Sequence, residues 1–239
     1  MIADEVITAV TVCWKYVDVI ERSLTSMRKF HPSMRIIVVD GSTPDMPCYQ
    51  YLDSLNDINT EVYHVGYNIG HGKGMNYGID RVKNPFVLIF DSDIEMVLSP
   101  VQDMLNMMKD DTFGVGYIEM VAPDGHDYGV FPRHKAVRPL KYMHPYFQLI
   151  QLKEYKKYKP FIHHGAPCIT TMLDIHRRGL SDRVLKEFPD LGHTSGCGVS
   201  WRPCAGKYIR HDVGGFGGTG RMRLKEGLPH IEGAWERVV

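Results

Sequence analysis

The chain has no apolar run near the roughly 20 residues that a membrane-spanning helix requires, so a transmembrane segment is not expected. Its first ten residues, MIADEVITAV, include two acids and no basic residue, unlike the positive start of a secretory leader. A cytoplasmic protein is the expectation. Cysteine is sparse and irregularly spaced. The five cysteines (Cys13, Cys48, Cys168, Cys197 and Cys204) show no CxxC pair, which argues against a structural zinc site and for reduced thiols. No internal repeat, low-complexity tail or clean linker is evident, which favours one compact domain over residues 1–239. Two glycine-rich stretches lack what would make them nucleotide fingerprints. GHGKG (70–74) has no matched later acid for a dinucleotide fold, and HDVGGFGGTGR (211–221) lacks the Gly-Lys-Ser/Thr ending of a P-loop.

Net charge is absent too, but its distribution is uneven. Residues 1–125 hold nine Lys and Arg against eighteen Asp and Glu, and residues 126–239 hold nineteen against ten. Such a split implies either two halves with different partners or two halves that attract each other. A chain of 239 residues is long enough to bury a full core.

What is present in the first half is a regular alternation. Val6–Cys13, Arg35–Asp40, Glu61–Gly66, Phe86–Phe90 and Phe113–Met120 read as short, buried strands. Between them, YVDVIERSLTSMRKF puts Ile20, Leu24 and Met27 on one helical face, and HGKGMNYGIDRV reads as a helix despite its glycines. SPVQDMLNMMK opens with a capping signature, Ser99 at the N-cap, Pro100 next and Gln102 at the third position. Strands alternating with helices predict an α/β fold with a mainly parallel sheet covered on both faces. The second half is less regular. Residues 121–145 read as a long loop, FQLIQLKEYKKYK as a helix, and PCITTMLDI as containing a strand.

The stretch FVLIFDSDIEM carries the sharpest chemical signal. A hydrophobic strand runs straight into Asp91, Ser92 and Asp93. In an open parallel sheet ligands bind beyond the C-terminal strand ends, where Asp40 also lies. If the DSD segment is extended, Asp91 and Asp93 point the same way with Ser92 opposed. Two neighbouring carboxylates suit a hard divalent cation, Mn2+ or Mg2+, which fills its remaining positions with waters and substrate phosphates. The competing reading is a pair of turn aspartates with no ligand.

IIVVDGSTPD, NIGHGKGMNYG and FVLIFDSDIEM, in this order and spacing over roughly residues 6–120, resemble the family 2 glycosyltransferases. The resemblance implies the GT-A fold, a single Rossmann-like nucleotide-binding domain. Residues 1–120 would then form its nucleotide-sugar half and a loop-rich 121–239 its acceptor half. The family's Thr-Tyr-Asn-like turn is occupied by Cys13, Trp14 and Lys15, and its Asp-Asp-Gly-Ser motif is shortened to Asp40-Gly41-Ser42. Its Asn/Gly helix motif is matched by Asn68, Gly70, Gly74, Asn76 and Gly78. On that resemblance Trp14 flanks the base, Asp40 hydrogen-bonds base or ribose, and Asp91 faces the ribose or donor sugar. Asp93 is the main protein ligand of the cation, and Lys73 meets the diphosphate or sugar. Cys13, Asn76 and Ser92 complete the expected donor set. Lys15 in place of the family's Asn, and the missing second aspartate beside Asp40, leave uridine as an expectation.

Many GT-A enzymes add a late histidine to the cation, followed by a mobile glycine-rich loop. KYIRHDVGGFGGTGRMR offers His211, then Arg221 and Arg223 toward the diphosphate. The remaining histidines, His163, His164 and His193 among them, carry no such signal. Inverting transfer needs a general base, which the family draws from an acid, often in a Glu-Asp pair. None occurs in residues 160–210, leaving Asp190 ahead of Asp174. The basic second half, with KEYKKYKPFIHH interleaving lysines and aromatics, suits an anionic acceptor, either nucleic acid or an anionic glycan or lipid. It equally describes a solvated helix face. The expected activity is metal-dependent hexosyl or pentosyl transfer from a nucleotide-diphosphate sugar, UDP-sugar favoured. The rivals are a nucleotidyltransferase on a related fold and an inactive sugar-nucleotide-binding module.

Overall fold

The computed structural model describes residues 2–55, 58–126, 128–129, 132–162, 166–191, 204–205 and 207–211. In chain order these open with α1 (Ala3–Val6), β1 (Ile7–Cys13), α2 (Val17–Phe30), β2 (Arg35–Asp40), α3 (Pro47–Asp53) and β3 (Thr60–His64). Then come α4 (His71–Ile79), β4 (Phe86–Phe90), β5 (Ile94–Met96), α5 (Val101–Asn106) and β6 (Gly114–Val121). A 3-10 turn (Pro132–Ala136) precedes β7 (Leu140–Gln151), α6 (Leu152–Tyr155), α7 (Ile169–Arg177) and α8 (Ser181–Val184). The last elements are β8 (Leu185–Glu187), β9 (Cys204–Ala205) and β10 (Ile209–His211).

The main sheet has the order β3-β2-β1-β4-β7-β6-β8. Its first four strands are mutually parallel, β7 runs antiparallel to both β4 and β6, and β8 is parallel to β6. Alternate side chains feed two separate cores. Ile36, Val38, Leu88 and Phe90 pack with Ile20, Leu24 and Met27 of α2 on one face. Ile37, Val39, Val87 and Ile89 pack with Met75 and Ile79 of α4 and Met172 of α7 on the other. A sheet buried on both faces explains the continuous apolar runs of its central strands. Among the described residues no helix is long and apolar enough to cross a membrane.

The first half follows the sequence expectation, with strand ends shifted by a residue or two. Ser99 does act at the start of α5, its Oγ accepting the Val101 N–H at 3.3 Å. The second half departs from it. FQLIQ belongs to β7, inserted between β4 and β6 and almost wholly buried, and only Leu152–Tyr155 of the expected helix is helical. A run apolar on both faces has no period that separates strand from buried helix. PCITTMLDI is the reverse case. Its β-branched residues suggested a strand, yet Ile169, Met172, Leu173 and Ile175 are the buried side of α7. The long loop expected over 121–145 is broken by the 3-10 turn and ends early, where β7 begins at Leu140.

Helix α4 lies close on the sheet because it is built on glycine. A Cβ on Gly78 would sit 2.5 Å from Val10 Cγ1, and one on Gly74 would sit 2.6 Å from Val12 Cγ1. Gly78→Ala is therefore expected to destabilise the fold by about 1–2 kcal/mol, overpacking outweighing the gain in helix propensity. In urea unfolding, Gly78→Ala combined with Val10→Ala should cost less than the two changes summed; additivity would mean that the helix does not rest on Val10.

Candidate functional site

The C-terminal ends of β1, β2, β3 and β4 meet at one rim. Cys13 is in register with Asp40, and Asp40 with His64. β4 lies on the other side of β1, and Asp91 follows two residues beyond the paired Val10 and Ile89.

Asp40 is fully buried. Its Oδ1 accepts the Ser42 N–H at 3.0 Å and the Cys13 thiol at 3.6 Å, with the Cys48 sulfur at 4.0 Å. Its Oδ2 accepts the His64 Nδ1–H at 2.8 Å, and that imidazole stacks on Tyr49 with centroids 3.8 Å apart. The carboxylate has no face open to solvent. Hydrogen bonding with Cys48, then burial, holds the Cys13 thiol well above its ordinary range, while the same contact lowers Cys48.

The partly exposed groups at this end of the rim come from the next turn. The Tyr16 N–H donates to the Trp14 carbonyl at 3.0 Å across Lys15, whose φ is +72°. So tight a turn is strained at a residue bearing a side chain. Two contacts hold it: the Lys15 N–H donates to Ser42 Oγ at 3.0 Å, and the ammonium lies 4.5 Å from the Trp14 ring centre. The Asp40-Gly41-Ser42 corner thereby sets the position of Trp14 from behind.

Helix α4 starts at the same rim. The Asn68 side-chain Oδ1 accepts the Gly70 N–H at 3.1 Å, and Gly70, at φ +81°, turns the chain into the helix. His71, its first residue, then brings Nε2 to 3.1 Å from Asp91 Oδ1. Lys73 is exposed on the same first turn. Asn76 goes elsewhere: its Oδ1 accepts the Tyr155 hydroxyl at 2.7 Å, and α6 lies at the entry end of β4, where Leu152 N–H meets the Pro85 carbonyl. The structure therefore does not bring Asn76 to the rim.

Asp91, Ser92 and Asp93 form a turn, not the extended segment the alternation argument assumed. Asp91 is pinned through its backbone, its N–H donating to the Tyr146 carbonyl at 2.9 Å and its carbonyl accepting the Ser23 hydroxyl at 3.4 Å. Past the turn, β5 joins a small sheet in the order β5-β10-β9. Its antiparallel register pairs Ile94 with His211, Glu95 with Arg210 and Met96 with Ile209. The backbone of residue 211 therefore lies beside the residue that follows Asp93, although 118 positions separate Asp93 and His211 in the chain. An ion pair from Arg210 Nη1 to Glu95 Oε2, at 2.7 Å, holds the hairpin partner in place.

Asp190 is exposed, with φ +59°. It follows Phe188, which packs edge-on against Tyr208 at 5.4 Å, and Tyr208 in turn accepts the Val97 and Leu98 N–H groups. The Asp190 segment is thus docked on the small sheet that carries the DSD turn. Asp174 is committed elsewhere, to Arg178 at 2.9 Å and the Lys159 N–H at 3.1 Å. Arg221, Arg223, His163, His164 and His193 lie outside the described residues. In the basic segment, Tyr155 and Phe161 are buried, and Tyr158 is covered by Arg178 at 5.0 Å. These rings pack inward and offer no platform for stacking bases.

The sequence profile of Glycosyl transferase family 2 matches residues 8–175, well over half of the chain. The chain belongs to glycosyl transferase family 2. Among solved structures, a mannosyltransferase from Pyrobaculum calidifontis, determined with GDP-Man and Mn2+, superposes with a TM-score of 0.54 at 13% identity. That match covers 78% of this chain and 55% of the mannosyltransferase. S. aureus TarS 1–349 superposes with a TM-score of 0.53 at 16% identity, over 77% of this chain and 58% of TarS. At such identities the likeness shows the fold, that of GT-A glycosyltransferases. This chain spans a little over half the length of either protein. A search of curated protein sequences found no significant match.

For this family 2 chain the donor set at the rim fits a hard divalent cation. Asp91 and Asp93 bring carboxylate oxygens to one tight turn, and the thiols of Cys13 and Cys48 are buried behind the rim. Three rim residues escaped the sequence reading: His71, His64 and Cys48. None stands in a spacing that marks it. His71 alone had a local signal, being the first helical residue after the Asn68–Gly70 turn.

Proposed function

We propose that this family 2 chain transfers a hexose or pentose from a nucleotide-diphosphate sugar to an acceptor hydroxyl with inversion, UDP-sugar being the favoured donor. The observation that most supports this is the register of β10 on β5, which returns the backbone of residue 211 to Ile94, directly after the turn holding Asp91 and Asp93. Asp93 and His211 would hold Mn2+ or Mg2+, which when bound would supply positive charge against the leaving diphosphate. Asp91, fixed through its backbone and met by His71, orients the ribose or donor sugar, with Ser92 beside it. Trp14 flanks the base. Asp40 is assigned an indirect role in place of the expected contact with base or ribose, because its carboxylate is spent on Ser42, Cys13 and His64. It positions the strained turn that carries Trp14.

Lys73, exposed on the first turn of α4, and Arg221 meet the diphosphate, the helix start favouring negative charge. Asp190, exposed beside the small sheet, takes the acceptor's proton as the sugar carbon is attacked from the opposite face. The surplus of basic residues after residue 125 favours an anionic glycan or lipid as acceptor. The inward-packed Tyr155 and Phe161 weigh against nucleic acid.

A thermal-shift panel of UDP-, GDP- and TDP-sugars, each with and without Mn2+, tests the donor assignment. A ligand that binds only the folded chain raises its melting temperature with affinity, so UDP-sugars with Mn2+ should give the largest rise. A flat panel removes the donor assignment. A panel that responds without any donor hydrolysis or transfer identifies a binding module.

A further inference from the structure

We propose that Cys13, Cys48 and Asp40 form a binding site for one thiophilic divalent cation, with Zn2+ the ion it fits. Their ligand atoms all lie within 4.8 Å of one another and all three residues are buried. The sulfurs are 3.6 Å and 4.0 Å from Asp40 Oδ1. A tetrahedral zinc site with Zn–S about 2.3 Å and Zn–O about 2.0–2.2 Å has S···O edges of about 3.5–3.7 Å. The two S···O edges therefore need shifts of only tenths of an ångström. The donors come from three elements: the end of β1, the end of β2 and the first turn of α3. No CxxC spacing announces such a site, because the fold assembles it from residues 35 apart.

The surroundings match a metal centre as well. A ligating carboxylate is normally held by an outer partner, and His64 does this from Oδ2, leaving Oδ1 toward the sulfurs. Softness separates this site from the rim: two sulfurs and one oxygen here, carboxylate oxygens at the DSD turn. On binding, two S–H bonds break, two sulfur–metal bonds and one oxygen–metal bond form, and two protons pass to solvent with no change in oxidation state. The bound ion ties the exits of β1 and β2 to α3 and so stiffens the base of the turn that carries Trp14. This site does not depend on the glycosyl-transfer reading.

The test is a Co2+ titration of the reduced, chelator-treated full chain, followed by absorbance. A sulfur-to-cobalt charge-transfer band should saturate at one equivalent and vanish when Zn2+ is added. Cys48→Ser should weaken Co2+ binding by about a hundred-fold, and the Cys197→Ser/Cys204→Ser double variant should leave the band unchanged. Zn2+ should raise the melting temperature of the native chain. Zinc-edge X-ray absorption of the unmutated protein, which needs no variant to fold, should show two sulfur neighbours. Absence of the band in folded native protein, an undiminished band in Cys48→Ser, or a zinc shell without sulfur overturns the proposal.

Discussion

Asp93→Ala is expected to lower metal-dependent sugar transfer about a thousand-fold while leaving the fold and its melting temperature almost unchanged. The residue lies in a turn, half-buried, and the turn itself is held by backbone bonds at Asp91 and by β5 pairing with β10. Removing its carboxylate strips charge stabilisation from the leaving diphosphate with little loss of packing, and losses of this kind run to about 10²–10³ in rate. Nucleoside diphosphate release, measured with excess Mn2+ and donor, is the readout. Full activity in Asp93→Ala would remove Asp93 from the cation's shell.

Asp40→Ala should behave in the opposite sense. Here the expected effect is on stability, a loss of about 3–5 kcal/mol, as when one partner of a buried, hydrogen-bonded ionic group is deleted. Three donors lose their acceptor together: the Ser42 N–H, the Cys13 thiol and the His64 N–H. For a chain of this size that corresponds to a melting temperature lower by roughly 10 °C. Chemical denaturation of the variant measures it. A variant of native stability that has lost only donor affinity would restore Asp40 to direct contact with the nucleotide.

The two residues show how unevenly a sequence discloses a site. Asp91 and Asp93 were legible because a five-residue apolar strand leads straight into them, and the C-terminal end of such a strand is where an open parallel sheet collects its ligands. Asp40 was legible as a rim residue for the same reason, but its burial was not. Whether a carboxylate faces solvent or a nest of thiols and an imidazole depends on Cys48 and His64, which reach it only through α3 and β3. The Asn68–Gly70 turn was recognised as part of a motif. That it aims His71 at Asp91 follows from the helix direction, which no spacing encodes.

The fold divides along the same line. In β1, β2 and β4 local pattern and tertiary environment agree, since parallel strands covered on both faces are short and mostly apolar. β7 and α7 were exchanged because FQLIQ is buried on both faces and PCITTMLDI carries β-branched residues, and only their neighbours decide between extended and helical backbone. The pairing of β10 with β5 was anticipated only as a late histidine's return. Its register comes from contacts between residues more than a hundred positions apart, beyond any local signal.

The central claim is that the DSD turn and the returning β10 hold a divalent cation that grips a donor's diphosphate. Crystals grown with UDP and Mn2+, with anomalous diffraction recorded at the manganese edge, address it most directly. The account predicts one manganese peak in bonding contact with Asp93 and His211 and with the diphosphate oxygens. A nucleotide bound with no manganese at Asp93, or manganese found only at the Cys13–Cys48–Asp40 cluster, would contradict it.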